Sequence, residues 1–394
     1  LVMIVYQSNP SLCEFFRQLV TMKGSVFPIS LKIALPMSVL ATVMKLLADD
    51  LDLEAFQSTL GLLDDEQSMI RSSSLWSGYM NLVAFLIVFR TSQSYSRFWE
   101  GCSWIYRMRA EWYDGTSAMA AYCQHSSSSA EDIARFKHTL VRLVSILHAV
   151  CLAEIEDITH LSRHDQGREI KGLSFEVIDA GALDTETLKA MSSCSQKPLL
   201  VFQWIQAYIV SEIKSGLLSV PPPILTRAFQ EFASGMLAYH EVTKIAEVPY
   251  PFPYSQICNF LLFMHTFISP LLVLGWTSTA ATAFLFSFAQ LFVLWSLNLI
   301  ACEIENPFGS DANDINMEEL QIEMNSKLRF LTMKMVGRLP QLSPEVTWER
   351  HTWNTKEYKD LERLGAMTEG AAPSWIDRSL VLSTMALRKS TEQQ

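Results

Sequence analysis

Few residues in this sequence have the type and spacing that catalysis or metal binding needs. His160 and His164 lie four residues apart and could share a helix face, but two imidazoles without a third ligand nearby make a weak metal site. His265 lies in a long stretch without charges. There an ionisable side chain is a functional candidate, although a neutral, hydrogen-bonded histidine between packed helices is the simpler interpretation. The sequence has no phosphate-binding glycine loop, no Gly-x-Ser-x-Gly and no His-Glu-x-x-His motif, so it predicts neither an enzyme nor a metal site.

The composition is more typical of a membrane protein than of a soluble enzyme. Of the 394 residues, 49% are hydrophobic and only 18% are charged, against about 25% in soluble domains. The mean hydropathy is positive, at +0.16. The net charge of -10 argues against a nucleic-acid partner, because such proteins need a basic surface. The seven cysteines contain no Cys-x-x-Cys pair, which indicates free thiols rather than a disulfide framework.

The stretch 248–302 predicts two membrane-spanning helices, because it contains no Asp, Glu, Lys or Arg. A spanning helix needs about 20 apolar residues, so this stretch has room for two spans and a tight turn. We place the two spans at 255–275 and 280–301. A buried helical hairpin in a large soluble core is the alternative, but soluble cores rarely extend this far without a charge.

Two further spans are predicted nearer the N-terminus, at 27–48 and 72–90. The first is apolar apart from an internal proline and two lysines near its ends, whose side chains can reach the membrane interface. The second is free of charge until Arg90 but rich in serine, and it is too polar to face lipid. We therefore predict that the second span lies at the centre of an assembly.

The charges that flank the spans predict their orientation. The segment 49–71 carries seven acids and a single base, whereas several arginines follow the second span. The positive-inside rule then places both termini and the region after residue 90 on one side of the membrane. The predicted organisation is an N-terminal segment 1–26, spans at 27–48 and 72–90, a helical region 91–247, spans at 255–275 and 280–301, a helical segment 302–341 and a C-terminal tail 342–394.

Four short stretches together resemble the bestrophin family of anion channels. They read GSVFP at 24–28, FLIVFRTSQSYSRFWEG at 85–101, PYPFPYSQ at 249–256 and ENPFGSD at 305–311. They occur in the order that the family has, and the similarity extends over roughly residues 20–340. The resemblance implies an all-α membrane protein with four transmembrane helices and a helical cytosolic or stromal region. It also implies a homopentamer around one central pore for chloride or other small anions.

The resemblance also implies which residues narrow the pore. Asn81, Phe85 and Phe89 match the neck of the family's pore, and Ile224, directly after a proline, matches a second aperture on the cytosolic side. The first three recur every four residues, slightly more than one helical turn. They therefore share one helix face, with each residue rotated a little around the axis from the one before. Phenyl edges carry the positive end of the quadrupole of the aromatic ring, which suits an anion. A circle of apolar side chains around a pore can also close it by expelling water. Ordinary helix packing and, for Ile224, a place in the core are the alternatives.

A calcium site is doubtful on the sequence alone. Animal members of the family bind calcium in an acidic run after Asn-Pro-Phe-Gly, where this chain keeps only Asp311 and Asp314. Calcium takes 6–8 oxygen ligands, so we expect a vestigial site, weak or absent calcium activation, and no cofactor. The run is closer to that of bacterial and plastid members. This implies passage of chloride, bicarbonate or nitrate across a plasma or thylakoid membrane.

Two other functions remain open at this point. One is a non-conducting accessory or scaffold subunit of a membrane complex, and the other is a coupled anion transporter. Many transporters contain inverted repeats, and no repeat relates the two predicted hairpins of this chain. The expected partners are further copies of the chain, membrane lipid and small anions.

Overall fold

The computed structural model describes residues 12–50, 73–162, 175–309 and 311–342, and the regular structure of these residues is helical throughout. The predicted all-α fold is therefore confirmed. The α-helices in these residues are α1 (Leu12–Val20), α2 (Phe27–Asp50), α3 (Ser73–Tyr122), α4 (Ala130–Ser162), α5 (Thr185–Ser193), α6 (Lys197–Lys214), α7 (Pro222–Glu247), α8 (Phe252–Trp276), α9 (Ala280–Ile304) and α10 (Met317–Leu331). All of them belong to a first compact unit, residues 1–338. Of the second unit, 339–394, the structure describes only the first four residues.

Four helices in the described residues are long and apolar enough to cross a membrane. Three of them, at Phe27–Ala48, Phe252–Trp276 and Ala280–Ile304, coincide with predicted spans. The fourth, Ala130–Thr159 in α4, has 78% of its most apolar window buried inside the protein, against 17% for α2. The apolar character of α4 is thus explained by core packing without lipid.

The predicted span at 72–90 forms the first part of a much longer helix. It is not among the four helices that are long and apolar enough to span, because serines, Asn81 and Arg90 lower its hydropathy. Helix α3 continues for 50 residues, which corresponds to about 75 Å at 1.5 Å per residue. Since the hydrocarbon core of a bilayer is only about 30 Å thick, α3 connects the spans with the helical region beyond them.

The hairpin of α8 and α9 turns through three residues that suit a helix start. Thr277 and Ser278 follow α8, and Thr279 caps α9. The Thr279 hydroxyl accepts a hydrogen bond from the backbone N–H of Thr282, whose own hydroxyl accepts one from the Thr279 N–H. This reciprocal pair satisfies donors that a helix N-terminus leaves without partners, in a place where lipid offers none.

Outside the spans, α3, α4, α6, α7 and α10 share one hydrophobic core. Trp112 of α3 is fully buried, and its indole N–H donates to the backbone oxygen of Phe232 at 3.3 Å. Two glycines allow α3 and α7 to approach closely: Gly115 faces the Phe232 ring, and Gly235 faces the Trp112 ring. This contact sets the position of α7 along α3.

We expect Gly235→Ala to destabilise the protein by about 1–3 kcal/mol, the usual cost of overpacking a core. A Cβ at this position would overlap the Trp112 indole ring, which is buried and has little room to move. Gly78→Ala is the matched control, because Gly78 is also helical and has no atom within 4 Å of its added Cβ. Thermal unfolding in detergent measures both. Equal effects of the two substitutions would contradict this account of the α3–α7 contact.

Candidate pore-lining site

Helix α3 has a covered face and an open face in its first part. Val83 and Ile87 are buried against Leu262 of α8 and Leu294 of α9. The predicted neck residues lie on the opposite face: Asn81 is exposed, and Phe85 and Phe89 are 65% and 37% exposed. The Phe85 and Phe89 rings stack with their centroids 6.3 Å apart. The chain itself therefore leaves all three side chains exposed on one helix face, as a pore-lining role requires, although the Phe89 ring also contacts Tyr254 with centroids 6.0 Å apart.

Arg90, the next residue along α3, points to the covered side. Its side chain is only 2% exposed. The guanidinium donates to Asn298 Oδ1 at 2.8 Å and to Asn259 Oδ1 at 3.4 Å, and it meets Glu305 Oε2 at 3.3 Å. The ring of Tyr250 lies 5.8 Å from Arg90 Cζ. One buried charge thus connects α3 with α8, α9 and the segments at their ends.

Arg97 lies two turns further along α3 and makes a second connection. Its Nε donates to the backbone oxygen of Glu305 at 2.7 Å, and its Nη2 donates to the backbone oxygens of Ile245 and Val248. Burial lowers the pKa of Arg97, while the carboxylates of Glu305 and Glu100 oppose this shift. An arginine nevertheless stays protonated in proteins, so Arg97 holds the end of α7 and the end of α9 as a cation.

The four motif stretches meet around these arginines. Gly101 faces the side chains of Pro307 and Phe308, where a Cβ would lie within 2.9 Å of either residue. Asn313 donates to the backbone oxygen of Gly24 at 2.9 Å, which ties the start of α2 to the turn after α9. The sequence indicated Arg90 and Arg97 only as flanking positive charges that orient the spans, not as residues that hold helices together. Their seven-residue spacing on one helix, at the edge of an apolar stretch, was the available signal.

Ile224 lies in the first turn of α7 and is 46% exposed, so it is not a core residue of the single chain. Tyr122, the last residue of α3, donates its hydroxyl to the Ile224 backbone oxygen at 3.2 Å. Phe89 is 33 residues away from Tyr122 on the same helix, about 50 Å along its axis. The structure therefore does not bring the predicted aperture together with the predicted neck, and α3 separates them along its length.

The predicted vestigial calcium site lies in the turn after α9. The Asp314 carboxylate is buried and accepts a hydrogen bond from the Asp311 N–H at 2.8 Å, so it shapes the turn. A cavity of about 380 Å³ lies beside it, and Glu303 and Asp311 contribute the carboxylates of its lining. In the described ranges no group of three or more His, Cys, Asp or Glu residues could hold a metal ion. Calcium independence stays a prediction.

The histidines singled out in the sequence differ in what can be said of them. The side chain of His160 and all of His164 lie outside the described residues. His265 is fully buried in α8, and its ring stacks on Trp76 with centroids 5.4 Å apart. Neither ring nitrogen has a hydrogen-bond partner in the described part of the chain. This agrees with a histidine packed between helices, but without the hydrogen bond expected from the sequence.

The bacterial and fungal bestrophin family matches residues 3–329, and the chain belongs to this family. The fold supports the same assignment. A crystal structure of a bacterial bestrophin homologue from Klebsiella pneumoniae aligns with a TM-score of 0.58 at 16% identity, over 79% of this chain and 99% of that one. A mutant of that homologue aligns with a TM-score of 0.59, over 78% and 99% of the two chains. The predicted resemblance is confirmed, and the protein is an integral membrane protein.

Two cyanobacterial proteins are similar in sequence. One, from Synechocystis sp., is 25% identical over 250 residues, which cover 64% of this chain and 74% of the relative. The other, from Nostoc sp., is 25% identical over 255 residues and covers 64% and 75% of the two chains. Each relative is named a voltage-dependent anion channel-forming protein.

We expect Arg90→Met to lower the free energy of unfolding by several kcal/mol. Removing one partner of a buried ion pair costs about 3–5 kcal/mol, and the low end applies here because the Glu305 side chain is 30% exposed. Arg135→Met is the control, since its pair with Asp132 is exposed and worth about 0–1 kcal/mol. Denaturant unfolding in detergent measures the difference. A loss for Arg90→Met no larger than that of the control would show that the buried network contributes little.

Proposed function

We propose that the protein is an anion-selective channel formed by five copies of the chain, with the α3 helices around a central pore. The open face of α3, with Asn81, Phe85 and Phe89 uncovered, is the observation that carries this proposal. The family and the names of the two cyanobacterial relatives support a channel rather than an enzyme.

A ring of copies explains how the open face of α3 can exist in a membrane. Asn81 is polar and would be costly against lipid, so it needs either protein neighbours or water. Other spans present large apolar side chains outward, such as Leu46 of α2, Phe263 of α8 and Leu285 of α9. These surfaces suit lipid. The exposed face of α3 is thus more polar than the exposed faces of the other spans, and this difference favours an arrangement with α3 inside and the other spans outside.

The neck selects anions through neutral groups in this proposal. Phenyl edges present positive partial charge, and the Asn81 amide can donate a hydrogen bond to a partly dehydrated ion. The N-terminal end of α7, where Ile224 lies, adds the positive end of a helix dipole at the second aperture. The overall charge of -10 matters less, because exposed charges are screened beyond about 8 Å at physiological salt.

The finer properties of the channel are part of the same proposal. Chloride is the main permeant ion, and nitrate and bicarbonate also pass, across a plasma or thylakoid membrane. Calcium activation is weak or absent, because Asp314 already bonds to its own turn and hard cations need several charged oxygens. Voltage is the stimulus that the names of the relatives suggest.

Purified protein in a planar bilayer should carry currents that reverse near the anion equilibrium potential. We expect nitrate and iodide to permeate better than chloride, because an apolar neck compensates poorly for lost hydration and weakly hydrated ions lose less. Reversal potentials in a salt gradient measure both properties. Native mass spectrometry of the same sample should give five copies. A reversal near the cation potential would refute the anion channel, and monomers or dimers alone would refute the pentamer.

Phe85→Ala and Phe89→Ala should each raise the basal current, because shorter side chains widen and wet the neck. The control is Phe286→Ala on α9, a phenylalanine of similar exposure on a span that we place against lipid. Single-channel recording gives the open probability and the conductance of each variant. If both neck variants behave like the control, these residues do not line the pore.

A further inference from the structure

The open face of α3 does not end at the neck but continues toward the region outside the spans. Ser92, Ser96 and Trp99 follow Phe89 at steps of three, four and three residues. At about 100° per residue, all of them lie within about 40° of Phe85 around the helix axis. Ser92 and Ser96 are exposed, and Trp99 is 53% exposed. The stripe is therefore continuous, and it extends about 15 Å along the axis beyond Phe89.

The exposed side of α3 is wider than the stripe, because Gln93 and Tyr95 are also exposed, but the opposite side is covered. Ser94 is fully buried, and it lies on the side of α3 opposite to Phe85. Arg90 and Arg97 also point away from the stripe, and both are held by the ends of α7, α8 and α9. These two arginines of α3 are consequently not part of the open face.

The chemistry of the stripe changes at Phe89. On the N-terminal side of Phe89 the open face is mainly apolar. On its C-terminal side, which we call below the neck, the face carries two hydroxyls and an indole N–H, which are all hydrogen-bond donors. In the part of the chain that the structure describes, none of these three donors has a hydrogen-bond partner. By contrast, the hydroxyl of Ser103, one turn further along α3, donates a hydrogen bond to the backbone oxygen of Trp99 at 2.8 Å.

We propose that Ser92, Ser96 and Trp99 line the ion pathway below the neck and set how readily an anion regains hydrogen bonds after it passes the phenyl rings. This inference rests on the proposed channel. An anion that leaves an apolar ring has lost part of its hydration, and the first donors it meets stabilise it. Neutral donors bind less tightly than guanidinium groups, which permits the fast release that conduction needs. The ligand class is small inorganic anions.

The first test compares permeation in the full-length channel. Ser92→Ala/Ser96→Ala and Trp99→Phe remove the donors while keeping the helix and most of the side-chain volume. We expect the chloride concentration for half-maximal conductance to rise about two- to tenfold, the range for one or two neutral hydrogen bonds. Ser94→Ala is the matched control on the covered face and should leave this concentration unchanged. Unchanged half-saturation and anion permeability ratios in both test variants, with normal wild-type anion currents, would overturn this inference and leave the proposed channel standing.

The second test reads accessibility and needs no current. Ser96→Cys should react with an anionic thiosulfonate reagent in the purified assembly, and Ser94→Cys should not, with the wild-type protein giving the background of its own thiols. Mass spectrometry counts the added groups. An unreactive thiol in the Ser96→Cys variant would show that a neighbouring copy covers the stripe, and would overturn the inference. Wild-type protein without anion current would overturn the proposed channel and this inference with it.

Discussion

The anchoring of α3 by the buried Arg90 and the half-buried Arg97 is the constraint on which the rest of the structure depends. Arg90 and Arg97 take their partners from α8, from α9 and from the end of α7. A charge buried at the edge of an apolar bundle is costly unless it is paired and hydrogen-bonded, so these contacts fix the rotation of α3 and its position along its own axis. Whichever face carries the arginines must be the covered face.

The open face is a consequence of that rotation. Since Arg90 lies about 140° from Phe85 around the helix, burying the arginine turns the phenyl rings outward. The same rotation applies further along α3, because an unbroken helix of 50 residues keeps its faces in a fixed relation from the spans to the hydrophobic core outside them. There, the close contact between α3 and α7 at Gly115 and Gly235 positions Ile224, the predicted aperture residue, relative to the predicted neck. The predicted neck and the predicted aperture are thus linked through one continuous helix.

The sequence predicted the spans best where composition alone decides the outcome. The absence of charges in 248–302 was sufficient for α8 and α9, which lie within a few residues of the predicted ranges. It was not sufficient for the apolar α4, because the same hydropathy serves a membrane span and a buried core helix. The length of α3 was also missed. A helix that leaves the membrane without a glycine or proline break gives no local signal of where the apolar environment ends.

The contacts of the candidate site were beyond sequence reasoning for a different reason. The partners of Arg90 lie about two hundred residues away along the chain, in segments whose polar residues look like ordinary helix ends. Only the four motif stretches, taken together, indicated that these segments converge. Local patterns did give the face of α3, since Asn81, Phe85 and Phe89 share it by spacing alone, but spacing does not tell a covered face from an open one.

The placement of the arginines has a further consequence for an anion pathway. A guanidinium in the pathway would bind an anion strongly and slow its release, whereas one that is bound to protein partners behind the helix stabilises the fold without binding the permeant ion. In this chain, hydrogen bonds to Asn259, Asn298 and Glu305 engage Arg90, and backbone oxygens engage Arg97. The positive charges of Arg90 and Arg97 thus serve to hold α3 against the ends of α7, α8 and α9 within the chain. In the proposed channel, the face left to the ions would carry phenyl edges, an amide, hydroxyls and an indole N–H, which attract anions weakly enough to let them pass.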